Sequence, residues 1–422
     1  MQEVLTAWPF DWSILRTTSE RRGYRRMHVL FSCVPGFGHF HPMVPLARAL
    51  VDAGHEVAFA TAQRFCHRVV APAGFQAFAA GLSPRVAHQQ TLKLPEVAGL
   101  RPDDSWSLGP LMFAKVAGPA KVDELLAAVA TFGADVVVHD PTDFSGPVAA
   151  ARAGIPWAAH SFGAVQSARF WNLGGELVAP TWRRWGLEPR PLGGMFAYLY
   201  LDVCPPGFQD PSIESIAVAH PVRPIIFDTT AGVGLPPWAL RLPAVPTVYV
   251  TLGTVANRAD GVFETVLEGL EEEPYNVIVT VGPDRDPSEL APRSENVHVE
   301  SYLPQSLLFP HCDVIVCHGG SGTVLAALAH GLPLLVLPQG ANQFWNAQRC
   351  ASLGVGMTLE REELGPAPVR QLVRRLVDEP GFRRQAGQMK DEIDSMPGPH
   401  EAVSLLERLV LDPRPVLAPS RT

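Results

Sequence analysis

The stretch Asp313-Val314-Ile315-Val316-Cys317-His318-Gly319-Gly320-Ser321-Gly322-Thr323 decides the fold. Its first five residues are short, apolar and rich in β-branched side chains, the pattern of a strand buried on both faces of a parallel sheet. After His318 come small residues, and Val324-Leu325-Ala326-Ala327-Leu328-Ala329 then reads as a helix stopped by Gly331 and Pro333. Strand, glycine-rich turn and helix together suit a phosphate. Glycine lets the backbone come close, and the helix N-terminus offers unpaired N–H groups and the positive end of a dipole. His318 and Thr323 add side-chain donors at the same spot.

Such a turn is a weak signal by itself, since many tight turns look alike. The following segment sharpens it. A second strand, Leu334-Leu335-Val336-Leu337, ends in Pro338-Gln339, and Asn342 and Gln343 open another helix. Two neighbouring strand ends thus present polar groups at one carboxyl edge, where open α/β sheets bind ligands.

The N-terminal half repeats the alternation. A strand from His28 to Val34 leads through the loop Pro35-Gly36-Phe37-Gly38-His39-Phe40-His41 to a helix from Pro42 to Ala53, with Pro42 in the tolerated first turn and Gly54 as the stop. Glu56–Thr61, Ala134–His139 and Ile155–His160 read as further strands of a right-handed parallel sheet. Residues 82–110 and 162–220 show no clear period; the second is rich in aromatics that could line an apolar pocket or fill a core. A dinucleotide fingerprint would need glycine where His41 stands, which excludes an NAD loop.

The full chain has 422 residues, enough for two domains, with 47% apolar and 18% charged residues. A net charge of −8 gives no nucleic-acid footprint, and no apolar run reaches membrane-spanning length. The six cysteines show neither CxxC pairs nor zinc spacing, so they read as packing residues of a cytoplasmic protein. Residues 1–26 carry Arg21, Arg22, Arg25 and Arg26 but no signal-peptide pattern. They read as a disordered or dispensable extension, with Met27 expected as the working start.

The region from Tyr302-Leu303-Pro304-Gln305 through His318–Thr323 to Asn342-Gln343 and Asn346 resembles the donor-binding signature of family 1 glycosyltransferases. The closest likeness is to bacterial antibiotic and macrolide members. The resemblance implies an α/β GT-B fold: two Rossmann-like domains facing each other across a cleft. It gives residues 27–228 to acceptor binding, 229–246 to a linker and 247–396 to nucleotide-sugar binding. Residues 397–412 become a helix crossing back to the first domain, and 413–422 a frayed tail. It also implies an inverting, metal-independent transfer with no cofactor beyond the nucleotide-sugar co-substrate.

Site residues follow from the resemblance together with the local chemistry. The acceptor hydroxyl must lose a proton to a base, and a histidine just ahead of a helix N-terminus suits that role because the dipole favours a neutral ring. The Gly-His-x-x-Pro motif points to His39; His41 competes, with packing or capping as its alternative role. The base needs a carboxylate to orient it. Asp140, at the end of the strand Val136–His139, is chosen, and Asp143 could substitute. Either could instead cap the helix near Phe144. On the donor side, Gly320, Ser321, Gly322 and Thr323 should cradle the phosphates, with His318 and Thr254 as further donors. Tyr302 and Leu303 should meet the base, although Tyr302 replaces the tryptophan common in plant members. Asn342 and Gln343 should face the sugar.

Two departures from the plant pattern bear on the donor. Ala326 stands where a glutamate usually grips the ribose hydroxyls of UDP, and Asn342 stands where a carboxylate usually grips the sugar. An amide holds hydroxyls more weakly than a carboxylate. Both changes favour a deoxysugar carried on dTDP, delivered to a hydroxyl of an apolar small molecule. The rivals are a GT-B transferase acting on a lipid or cell-wall acceptor, which no membrane-docking stretch supports, and a non-catalytic nucleotide-sugar-binding partner. No nucleic acid or stable membrane insertion is expected, and a homodimer is left open.

Overall fold

The computed structural model of the chain describes residues 26–228, 234–253, 261–282, 285–290 and 294–419. Thr254, expected to offer its hydroxyl to the phosphates, and the first five residues of the expected linker (229–233) lie outside the described residues. Two sheets organise the molecule. The first contains β1 (His28–Ser32), β2 (Glu56–Thr61), β3 (Gln76–Ala79), β4 (Val136–His139), β5 (Trp157–His160), β6 (Tyr200–Asp202) and β7 (Ala219–Pro221), in the order β3-β2-β1-β4-β5-β6-β7. The second contains β8 (Thr247–Thr251), β9 (Asn276–Thr280), β10 (Val297–Glu300), β11 (Val314–Cys317), β12 (Leu334–Val336) and β13 (Gly356–Thr358), in the order β10-β9-β8-β11-β12-β13. Every recorded pairing is parallel. The two units are the Rossmann-like halves of a GT-B fold.

Alternation along each strand gives each sheet two cores. Val29 and Phe31 of β1, with Val136 and Val138 of β4, face one side; Leu30 and Val137 face the other. The same split separates Val248, Val250, Val314 and Val316 from Tyr249, Ile315 and Cys317. Burial on both faces explains why these strands read as continuous apolar runs.

The helix Pro399–Leu411 belongs to the first unit's core despite its place late in the chain. Ala402, Val403, Leu406 and Leu409 are buried with Val44, Ala47 and Leu50 of the helix Val44–Asp52. His55 ties the two: its Nδ1 accepts from the Met27 amide at 3.2 Å, and its Nε2 lies 3.2 Å from Glu407 Oε1. The final segment is not frayed over its described part. The Val416 and Ala418 amides donate to the carbonyls of Tyr198 and Ala217, and Val416 is buried. These bonds satisfy backbone groups beside the sheet, and that holds the segment down despite its prolines.

Residues 82–110, which show no period, contain helices at Pro84–Thr91 and Pro95–Ala98. The aromatic region contains the 17-residue helix Ala168–Arg184. Gly174, Gly175 and Pro180 disguise it as irregular chain. Gly174 is there for close packing, since a Cβ would collide with the Phe144 ring. No helix among the described residues is long and apolar enough to cross a membrane.

Because Leu406 is fully buried in the first unit's core, Leu406→Ala should lower stability by about 2–5 kcal/mol. Urea unfolding should show the loss. A variant as stable as wild type would mean that this helix does not complete the N-terminal core.

Candidate active site

Parallel pairing puts the carboxyl ends of β1 and β4 side by side, with Ser32 opposite His139 and the Asp140 amide donating to the Ser32 carbonyl at 3.0 Å. The chain leaving β1 therefore passes over the residue that follows β4. His39 and Asp140 meet there. His39 Nδ1 lies 3.3 Å from Asp140 Oδ1 and 3.3 Å from Thr142 Oγ1. Asp140 is fully buried, yet its oxygens accept from the Val34 amide at 2.6 Å, the Thr142 amide at 2.7 Å and the Thr142 hydroxyl at 2.5 Å. Burial opposes its charge, but His39 and these hydrogen bonds outweigh burial and hold the carboxyl below the usual carboxylate range.

The segment expected as a loop is wound. Phe37–Phe40 forms a short helix and His41–Met43 a 3-10 turn, both ahead of Val44–Asp52. His39 thus sits inside a helical turn rather than before an N-terminus, so the partner that orients it is Asp140 and not a helix dipole. The ring packs edge-on against Phe162, 4.9 Å away between centroids, and keeps an edge on the interdomain cavity.

The two competing residues stand in different surroundings, although His41 also lines the cavity. His41 is packed among Phe37, Phe40 and Phe227, with its Nε2 buried and unpaired, and burial lowers its pKa to about 4. Asp143 turns away from His39. One oxygen accepts from Lys121 Nζ at 2.7 Å and from Ser32 Oγ at 2.6 Å; the other takes the Ser145 hydroxyl. Lys121 was not singled out from the sequence, because a lysine in an amphipathic helix normally reads as solvated.

Across a cavity of about 350 Å³ stands the edge of the second sheet. The helix Ser321–Ala329 begins there with Gly320 at its N-cap and no side-chain cap, and Gly320, Ser321, Gly322 and Thr323 all line the cavity. Ser321 Oγ accepts from Asn342 Nδ2 at 2.9 Å and Asn346 Nδ2 at 3.2 Å, which leaves its own hydrogen to donate. His318 is wedged between Gly253 and Gly320, where a Cβ at either glycine would fall 2.5 Å from the ring. Its Nδ1 is buried without a partner, and burial lowers its pKa to about 4, so the ring is neutral at pH 7.

The other donor-side residues divide. Tyr302 is 42% exposed on the cavity wall and Leu303 is buried beside it. Ala326 is buried yet also reaches the cavity. Gln343 does not face the cavity: its Oε1 accepts from the Gln339 amide at 2.7 Å and the Gly340 amide at 3.1 Å, bracing the loop that carries Asn342. The two halves touch at this point. A Cβ on Gly163, which follows β5, would collide with Ser321 Oγ.

Comparison with known proteins identifies the family of the chain. Residues 48–253 match the erythromycin biosynthesis protein CIII-like N-terminal domain, and residues 264–409 match the corresponding C-terminal domain. The 4'-demethylrebeccamycin synthase of Lentzea aerocolonigenes is 31% identical over 427 residues, covering 90% of this chain and 99% of that protein. The L-demethylnoviosyl transferase of Streptomyces niveus is 33% identical over 371 residues, covering 84% and 94%. Among solved structures, the glycosyltransferase VinC in complex with DTDP superposes with a TM-score of 0.76 at 26% identity, covering 91% of this chain and 100% of that one. The chain belongs to the erythromycin biosynthesis protein CIII-like family and is a GT-B glycosyltransferase of antibiotic and natural-product biosynthesis.

Proposed function

We propose that this glycosyltransferase moves a deoxysugar from dTDP to a hydroxyl of an apolar aglycone, with inversion at the anomeric carbon and His39 as the general base. One observation carries the reading: a carboxylate-oriented histidine and an uncapped helix N-terminus line the same cavity from opposite sheets.

The acceptor hydroxyl gives its proton to the cavity-facing nitrogen of His39 as its oxygen bonds to the anomeric carbon. The bond from that carbon to the β-phosphate oxygen breaks, and its electron pair leaves with the diphosphate. Asp140 holds the Nδ1 proton and stabilises the imidazolium that forms. The charge growing on the leaving phosphate meets the N–H groups of Gly320–Thr323, the Ser321 hydroxyl and the neutral His318 ring. Enough fixed donors gather there for the transfer to run without a metal. Phe162, Ile225 and Phe227 make the acceptor side of the cavity apolar, which suits an aglycone poor in charge.

The relative VinC was crystallised with DTDP, and Ala326 favours the same nucleotide here. Its methyl cannot accept from a ribose 2′-hydroxyl, so UDP gains nothing over a deoxyribose.

His39→Ala should cut turnover by about 10²–10⁴-fold and leave thymidine diphosphate binding nearly intact. Wild-type turnover in the folded variant would remove His39 from the base role. Wild-type enzyme should also show a higher kcat/KM with a dTDP-sugar than with the UDP form of the same sugar. Ala326→Glu should move the ratio toward UDP by about tenfold or more, because a charge-assisted hydrogen bond contributes about 1.5–3 kcal/mol. A wild type that prefers UDP, with no shift in the variant, would overturn the donor assignment.

A further inference from the structure

The buried pair beneath the His39–Asp140 dyad has no part in the transfer itself. Two carboxylates, Asp140 and Asp143, stand three residues apart on one turn, both almost completely buried. Like charges so placed resist ionising together. Asp140 must be ionised to serve His39, so Asp143 needs a neutraliser. Lys121, 6% exposed on the helix Gly118–Phe132, supplies it. Its three ammonium hydrogens have three acceptors: Asp143 Oδ2 at 2.7 Å, the Cys33 carbonyl at 2.9 Å and the Ala60 carbonyl at 3.1 Å. Those acceptors lie just beyond β4, just beyond β1, and near the end of β2. Val34, next to Cys33, donates the amide that fixes Asp140 Oδ2. One side chain therefore joins the three strand ends on which the dyad is built.

We propose that Lys121 is a positioning residue for the acceptor-activating dyad: by neutralising Asp143 and pinning the ends of β1, β2 and β4, it leaves Asp140 as the single uncompensated charge behind His39. The inference rests on His39 acting as the base. The ionisable groups packed around Asp140 are few. His39 faces it from the first helical turn, Asp143 and His139 from its own segment, Lys121 from the adjoining helix, Cys33 from the end of β1 and His160 from the end of β5. Burial raises the Cys33 thiol and lowers both His139 and His160, so these three stay neutral near pH 7. The balance behind His39 is thus set by Asp140, Asp143 and Lys121.

The test is the acid limb of the kcat/KM-against-pH profile. Lys121→Met leaves an extra carboxylate beside the dyad. The dyad then holds its proton longer, and the limb should move to higher pH by about one unit. Asp143→Asn leaves the ammonium unpaired and should move the limb the other way. Lys121→Met/Asp143→Asn removes both charges and should return the limb to its wild-type position, even if kcat stays reduced. Opposite shifts in the single variants, cancelled in the double, support the proposal. A limb unmoved in all three, with kcat alone reduced, would show that the pair only braces the fold. If Lys121→Met does not fold, Asp143→Asn and the double variant decide by the same criterion. His39→Ala run alongside keeps the two claims apart. If it turns over normally, the base assignment fails, and the Lys121 inference falls with it. If it is inactive while the limbs do not move, only the role of Lys121 is lost.

Discussion

A carboxylate can remain charged in a dry interior only if its oxygens are hydrogen-bonded and a compensating charge is near. Asp140 meets the first condition in the resting dyad, and the imidazolium formed during transfer would meet the second. Two amides, one hydroxyl and the His39 ring surround it at the carboxyl edge of the first sheet. That arrangement exists only because β1 and β4 run parallel and adjacent. Their side-by-side ends bring the Val34 amide and the Asp140 carboxylate together from positions 106 residues apart in sequence. A shift in register would leave an unpaired buried charge, so the dyad and the sheet constrain each other.

The second sheet answers with positive potential and no full charge. The Ser321–Ala329 helix starts without a side-chain cap, and Asn342 and Asn346 both donate to Ser321, so its hydroxyl is left to donate toward the cavity. His318 is kept neutral by burial and held between two glycines. Such groups can stabilise a diphosphate as it leaves without first binding it too tightly. The helix Pro399–Leu411 closes the chain onto the first core, and the contact of Gly163 with Ser321 brings the two edges together at the place where the bond would change hands.

Much of this was legible in the sequence where local pattern and position coincide. The apolar runs of β1, β4 and β11 were readable because strands buried on both faces need no alternation. Their ends mark where His318, the glycine turn and Asp140 stand, while the choice of His39 over His41 rests on the Gly-His-x-x-Pro resemblance. Other parts were not legible, for physical reasons. Gln343 looks the same whether its carboxamide grips a ligand or braces its own loop; only the fold shows the second. Asp143 stays a possible substitute for Asp140 in the sequence, and only the fold shows the two side chains taking different partners. Lys121 reads as a surface residue until three strand ends converge on it. The helix Ala168–Arg184 hid behind Pro180 and two glycines, Gly174 and Gly175, that close packing favours.

The central claim is that Asp140 makes His39 a competent base. Asp140→Asn tests it most directly, because the amide is nearly isosteric but carries no charge to hold an imidazolium. The account predicts that kcat for sugar transfer falls at least about a hundredfold while thymidine diphosphate affinity stays at its wild-type value. A folded Asp140→Asn enzyme with near wild-type kcat would contradict it.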